Sequence, residues 1–171
     1  MPWTIKETLL FLANPATRTE VVPVEERHTE RAFVAPDREP YELERREADL
    51  VHRYRSHLLR RGHTVSRLRV VPAGESAPLY SDLWDETAHE LVEAKGGVIR
   101  EQIRTGVGQL LDYGRFIDAK TRTLLVPARP RQDLLDLLKT VGIGLVYPDG
   151  IASNRHGDVV IGVVRLPLRK E

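Results

Sequence analysis

The sequence predicts an α/β fold: a mixed sheet flanked by helices, with a small N-terminal appendage. Three observations lead there. From residue 41 the hydrophobic spacing switches between helical and strand periods, in the order helix, three strands, helix, strand, helix, strand. Helices interleaved with strands in the second half call for a sheet covered on its faces. A length of 171 residues, with 41% hydrophobic and 30% charged side chains, suits one folded domain. Residues 1–40 are read as the appendage and residues 41–171 as the main domain.

In the appendage, Thr4 and Glu7 have capping-box spacing, so a short helix is expected to about Leu12, ended by Asn14-Pro15. Glu20–Val24 and Arg31–Val34 read as the strands of a hairpin, with Pro23 restricting the first to an edge. Pro36, Asp37 and Pro40 mark a linker. The first main helix is expected over Tyr41–Arg61, because Leu43, Leu50, Val51, Tyr54 and Leu58 fall on one stripe, and Gly62 stands where a C-terminal cap belongs. His63–Val71 reads as a strand, and Pro72, Gly74 and Pro78 as a loop. Leu79–Leu83 and His89–Ala94 follow as two strands around a turn at Trp84–Thr87, and Gly96-Gly97 ends the second. Val98–Ile117 is helical, with Ile99, Ile103, Val107, Leu110 and Ile117 on one side. Thr123–Val126 is a strand stopped by Pro127, Gln132–Thr140 a helix, and Ile143–Tyr147 a strand stopped by Pro148. A turn at Asn154–Gly157 leads into a last strand, Val159–Leu166.

Composition removes several classes of function. Cysteine is absent, which excludes disulfide scaffolds, thiolate zinc sites and cysteine nucleophiles. No apolar run approaches the ~18–20 residues that span a bilayer. No basic stretch followed by an apolar core opens the chain, so the expected location is the cytoplasm, without membrane contact. The six histidines stand at no metal-ligand spacing and read as structural or surface residues. Gly106-Val107-Gly108 is no phosphate loop, since no strand leads into it and no lysine follows; it suits close helix–sheet packing instead. The net charge of +1 hides a pattern. Residues 71–98 hold six acidic side chains and one lysine, between segments with eight basic against four acidic (41–70) and seven against three (99–131). Such an arrangement fits ordinary surface charge, or a carboxylate site between surfaces that attract phosphate.

The chemistry centres on Asp82, Glu93 and Lys95. A tight turn between the two middle strands would set Asp82 beside Glu93, and strand alternation points Glu93 and Lys95 the same way with Ala94 opposite. Two carboxylates suit a hard cation such as Mg²⁺, which keeps water or substrate phosphate in its other positions. A neighbouring lysine can orient an attacking water and stabilise developing charge. Together these are the means for metal-assisted phosphodiester hydrolysis. An acidic residue two before a lysine is weak by itself, as the second instance, Asp118-Ala119-Lys120, demonstrates. Two features support the first instance. Glu47 interrupts the apolar stripe of the first helix, where a carboxylate is costly without a charged partner or a metal, so it is expected within ~8 Å of Glu93 or Lys95. Gln102, Gly106, Gln109 and Tyr113 share one face of the later helix.

On these residues the stretch from roughly Glu42 to Tyr147 resembles the PD-(D/E)XK nuclease superfamily, with its restriction-endonuclease-like fold. The match is Glu47 on the first helix, Asp82, then Glu93-Ala94-Lys95, while Gln109-Leu110-Leu111-Asp112-Tyr113 is similar to the Gln-x-x-x-Tyr signature of the RecB-like branch. Ser81 stands where the name-giving proline would be. The resemblance implies a metal-dependent deoxyribonuclease, of a restriction or phage-defence system. Mg²⁺ or Mn²⁺ would be bound by Asp82, Glu93 and the Ala94 carbonyl, with Glu47 supporting the site. Lys95 would orient the water, and Gln109 and Tyr113 would position the phosphate or the lysine. DNA is the implied partner, with Arg100 and Arg104 as candidate backbone contacts and a homodimer or partner subunit supplying sequence recognition. The alternatives are a repair or resolvase-type nuclease on the same fold, and a non-catalytic DNA-binding or assembly subunit.

Overall fold

The computed structural model describes residues 16–24, 38–153 and 159–163. The expected helix to Leu12, the Asn14-Pro15 stop, the strand Arg31–Val34 and the turn Asn154–Gly157 lie outside them. The elements in chain order are β1 (Arg18–Val22), α1 (Arg38–Arg60), β2 (Val65–Val71), β3 (Leu79–Tyr80), β4 (Leu83–Asp85), β5 (Glu90–Ala94), α2 (Arg100–Tyr113), β6 (Thr121–Leu125), α3 (Gln132–Thr140), β7 (Gly144–Val146), β8 (Pro148–Ser153) and β9 (Val159–Val163). Among the described residues the main sheet has seven strands in the order β1-β2-β4-β5-β6-β7, with β3 also on β2. Pairing is antiparallel from β1 to β5 and parallel from β5 through β6 to β7. The sheet is therefore mixed, as the alternation of elements suggested. Strand β8 pairs antiparallel with β9 in a second sheet.

Local signals placed the helix ends. Gly62, at φ 80°, lets its own N–H bond Leu59 O and that of His63 bond Leu58 O, which closes α1. Helix α1 begins at Arg38, before the expected Tyr41, with Pro40 inside its first turn, where a missing N–H costs nothing. Helix α2 is shorter than Val98–Ile117 predicted: Gly114 caps it after Tyr113, and Ile117 leaves the helix while still packing on the core. Two strand readings change. Trp84 and Asp85 belong to β4, so the turn to β5 falls on 86–89, with His89 at φ 53°. Pro148 begins a strand, β8, instead of only ending β7; a first position tolerates proline because its nitrogen need not donate.

Each face of the sheet has its own core. Helix α1 buries Leu50, Tyr54 and Leu58 against Leu83, Val92, Ala94, Leu125 and Val146. Helices α2 and α3 bury Ile103, Leu110, Leu134 and Leu138 against Leu68, Trp84, Leu91, Leu124 and Leu145 on the other face. Adjacent residues of one strand thus enter opposite cores, as Leu91 and Val92 do.

The strand expected over Leu79–Leu83 is interrupted. Tyr80 pairs with Arg69, but Trp84 pairs with Ser66, one residue out of step. With Ser81 N bonded to Leu68 O, Asp82 and Leu83 together stand opposite Arg67. This is a β-bulge.

Candidate active site at the end of strand β5

The β4–β5 register continues from Leu83↔Val92 to set Asp82 opposite Glu93. Asp82 Oδ2 accepts a hydrogen bond of 2.8 Å from Ala94 N. Glu93 lies on the α2 face with Leu91, 3% exposed, and its Oε1 accepts from Lys95 Nζ at 3.1 Å. Lys95 is itself buried, and its backbone N–H bonds Leu125 O of β6 at 2.9 Å. The three side chains named from spacing alone therefore meet at the C-terminal end of one strand. In the second tripeptide, Asp118 and Lys120 are both exposed and belong to no strand, so strand context separates the two instances.

Helix α2 roofs this corner. Gly106 makes the close approach: a Cβ there would come within 3.2 Å of Lys95 Cγ and overlap Leu124 Cδ1. Gly108, two residues on, has open space around it, so only the first glycine of the pair serves the packing. Tyr113 lies one turn beyond Gln109, hydrogen-bonded to it, and near enough to Glu93 and Asp82 to feel their charge. Burial, and behind it the Glu93 carboxylate, raise the Tyr113 phenol above its ordinary pKa, while the Gln109 bond acts the other way. Burial is also the main influence on Glu93, followed by the charge of Asp82. Together they push its carboxyl up to about 8, against the opposing pull of the Lys95 ammonium. The short Lys95–Glu93 contact suggests an ordinary ion pair, but burial on this scale outweighs the attraction and raises the carboxyl.

Glu47 arrives from the other face of the sheet, on α1. Its Oε1 accepts from Gly96 N at 3.0 Å, next to Lys95. Sequence called for a charged partner or a metal, but the backbone amide supplies the bond, and the half-buried position makes that sufficient. The same contact explains Gly96, where a Cβ would stand 2.5 Å from Leu43 O.

Sequence did not separate the carboxylates of the acidic segment by environment. Asp85 and Glu90, fully buried, belong to the α1 face. Asp85 bonds His63 Nδ1 at 2.6 Å and Ala88 N at 3.0 Å. Glu90 accepts from Thr123 Oγ1 at 2.5 Å and Tyr54 Oη at 3.4 Å. Both have their partners and serve the fold. Glu93 differs: its Oε2 is buried with no hydrogen-bond partner, as are Gln109 Oε1 and Gln102 Oε1 on the roofing helix. A buried acceptor of this kind asks for a donor or a cation.

Among the described residues no three His, Asp or Glu side chains gather as a metal-holding group. A cation here would draw on Asp82, Glu93, a backbone carbonyl such as that of Ala94, water and substrate oxygen, while Glu47 is bonded to the Gly96 amide. That donor set fits Mg²⁺ or Mn²⁺, which take one or two carboxylates and keep several waters. Arg100 and Arg104 line an open depression with Glu101 and Thr105 at the start of α2, and Arg100 is ion-paired with Asp133 of α3. No helix among the described residues is long and apolar enough to cross a membrane. Comparison with family models, with curated proteins and with solved structures gives no match to this chain.

Proposed function

We propose that this chain is a metal-dependent phosphodiester hydrolase acting on DNA, with its site formed by Asp82, Glu93 and Lys95. One observation carries the reading: Glu93 Oε2 is buried without a hydrogen-bond partner, on the same side chain whose other oxygen holds Lys95 and directly across from Asp82. Elsewhere in this acidic segment the buried carboxylates have the partners that a purely structural role requires.

Asp82 and Glu93 would hold Mg²⁺ or Mn²⁺ with the Ala94 carbonyl. Bound there, the cation supplies charge stabilisation to the phosphoryl oxygens and lowers the pKa of water. Lys95 is fixed by its stem under Gly106 and by its contact with Glu93, so its ammonium is preorganised to orient a water toward phosphorus. Gln109 and Tyr113 hold the inner wall, and Arg100 and Arg104 offer contacts to neighbouring phosphates. A restriction or phage-defence role is the setting proposed for this activity.

The experiment is incubation of the chain with plasmid, linear duplex and single-stranded DNA in Mg²⁺, Mn²⁺ or EDTA. Cleavage in either metal and none in EDTA is expected. Failure to cut all three substrates in both metals would overturn the reading.

A further inference from the structure

The bulge before β4 decides which face Asp82 occupies. Leu79 packs on the α2-side core, whereas Leu83, an even number of residues later, lies in the α1-side core. An uninterrupted strand would send both to one face and Asp82 to the other. One extra residue reverses the phase and brings Asp82 onto the face of Glu93 and Lys95.

Two side chains hold the extra residue. Ser81, 1% exposed, replaces part of the ladder: its Oγ accepts from Leu68 N at 2.9 Å while its own N–H bonds Leu68 O at 3.0 Å. Arg67, the residue facing the bulge, donates from Nε to Ser81 O at 3.0 Å, and its guanidinium lies 4.8 Å from the Tyr80 ring centroid. The peptide leading into Asp82 is therefore clamped at both its carbonyl and the preceding side chain. Asp82 leaves this clamp already aimed at Ala94 N.

We infer that Ser81 and Arg67 are positioning residues, which hold the bulge so that the Asp82 carboxylate faces Glu93. Neither touches substrate; both act through Asp82. The metal-binding consequence rests on the proposed hydrolase reading, whereas the positional claim does not.

The test uses the full chain as wild type, Ser81→Ala, Ser81→Thr and Arg67→Met. Arg67 is only half-buried, so its variant keeps the fold if Ser81→Ala does not. Two amides of one strand are compared by hydrogen exchange in EDTA: Ala94, whose N–H bonds Asp82, and Lys95, whose N–H bonds Leu125. Mn²⁺ affinity is measured by calorimetry in parallel. Ser81→Ala and Arg67→Met should speed exchange at Ala94 and leave Lys95 unchanged. Affinity should fall about 10- to 100-fold, as when a supporting group behind a metal ligand is removed. Ser81→Thr, which keeps the hydroxyl, should restore both. Equal acceleration at the two amides would mean general loosening and would overturn the inference, as would an unchanged Ala94. If the wild type binds no Mn²⁺, the hydrolase reading loses its metal, and the Ala94–Lys95 comparison still decides the positional claim.

Discussion

Glu93 and Lys95 are a buried pair in which burial outweighs attraction. Because burial raises the Glu93 pKa from 4.5 to about 8, the folded metal-free chain binds a proton there that the unfolded chain has released. Between those values the folded state holds more protons, so its stability falls as pH rises. Thermal melts in EDTA at pH 5, 6.5 and 8 should show a steeper decline for wild type than for Glu93→Gln, which cannot titrate; parallel declines would contradict the assignment. Lys95→Ala should lower DNA cleavage by ~10²–10³-fold, about 3–4 kcal/mol of transition-state stabilisation, while Lys120→Ala cuts normally. Initial rates on plasmid DNA check this, and an essential Lys120 beside a dispensable Lys95 would reverse the assignment.

The helices hold the site through two glycines and one carboxylate. Gly106 lets α2 lie on the Lys95 stem, Gly96 lets α1 approach the end of β5, and Glu47 ties α1 to the Gly96 amide. Gly96→Ala would press a methyl group on the Leu43 carbonyl, a backbone atom that a rotamer change cannot move. A loss of about 1–3 kcal/mol is expected in urea unfolding. Gly108→Ala is the contrast: with nothing nearby, better helix propensity should add up to ~1 kcal/mol. Equal effects would mean that α1 is not seated as described.

Across the whole molecule, the sheet divides the acidic segment. Asp82 and Glu93 face α2 at the C-terminal edge of the parallel strands, an edge where open α/β sheets commonly bind ligands, while Asp85 and Glu90 are bonded into the α1 side. If the first pair holds a cation, Mn²⁺ at about 100 times its Kd should stabilise the fold by roughly 2.7 kcal/mol. Asp82→Asn should remove most of that gain. Unfolding with Mn²⁺ and with EDTA measures it, and an equal gain in the variant would take Asp82 out of the donor set.

Features that depend on near neighbours along the chain were legible in the sequence. The stripe Leu50, Tyr54 and Leu58 specified α1, Gly62 its end, and alternation put Glu93 and Lys95 on one side of β5. That the two strands pair was legible too, but not their register: a turn at 84–87 would set Asp82 opposite His89, and the turn at 86–89 sets it opposite Glu93. Tertiary structure decided the rest. The bulge at Asp82 exists only as a mismatch with β2, whose register no local pattern records. Glu47 found a backbone amide because Gly96 let the helix approach. The difference between Glu93 and Glu90, two buried glutamates three residues apart, rests on which polar groups the neighbouring elements bring within reach: Thr123 and Tyr54 reach Glu90, while Glu93 meets Lys95 and Asp82. Periodicity says that a side chain is buried, but the partners that satisfy it come from strands and helices distant in sequence.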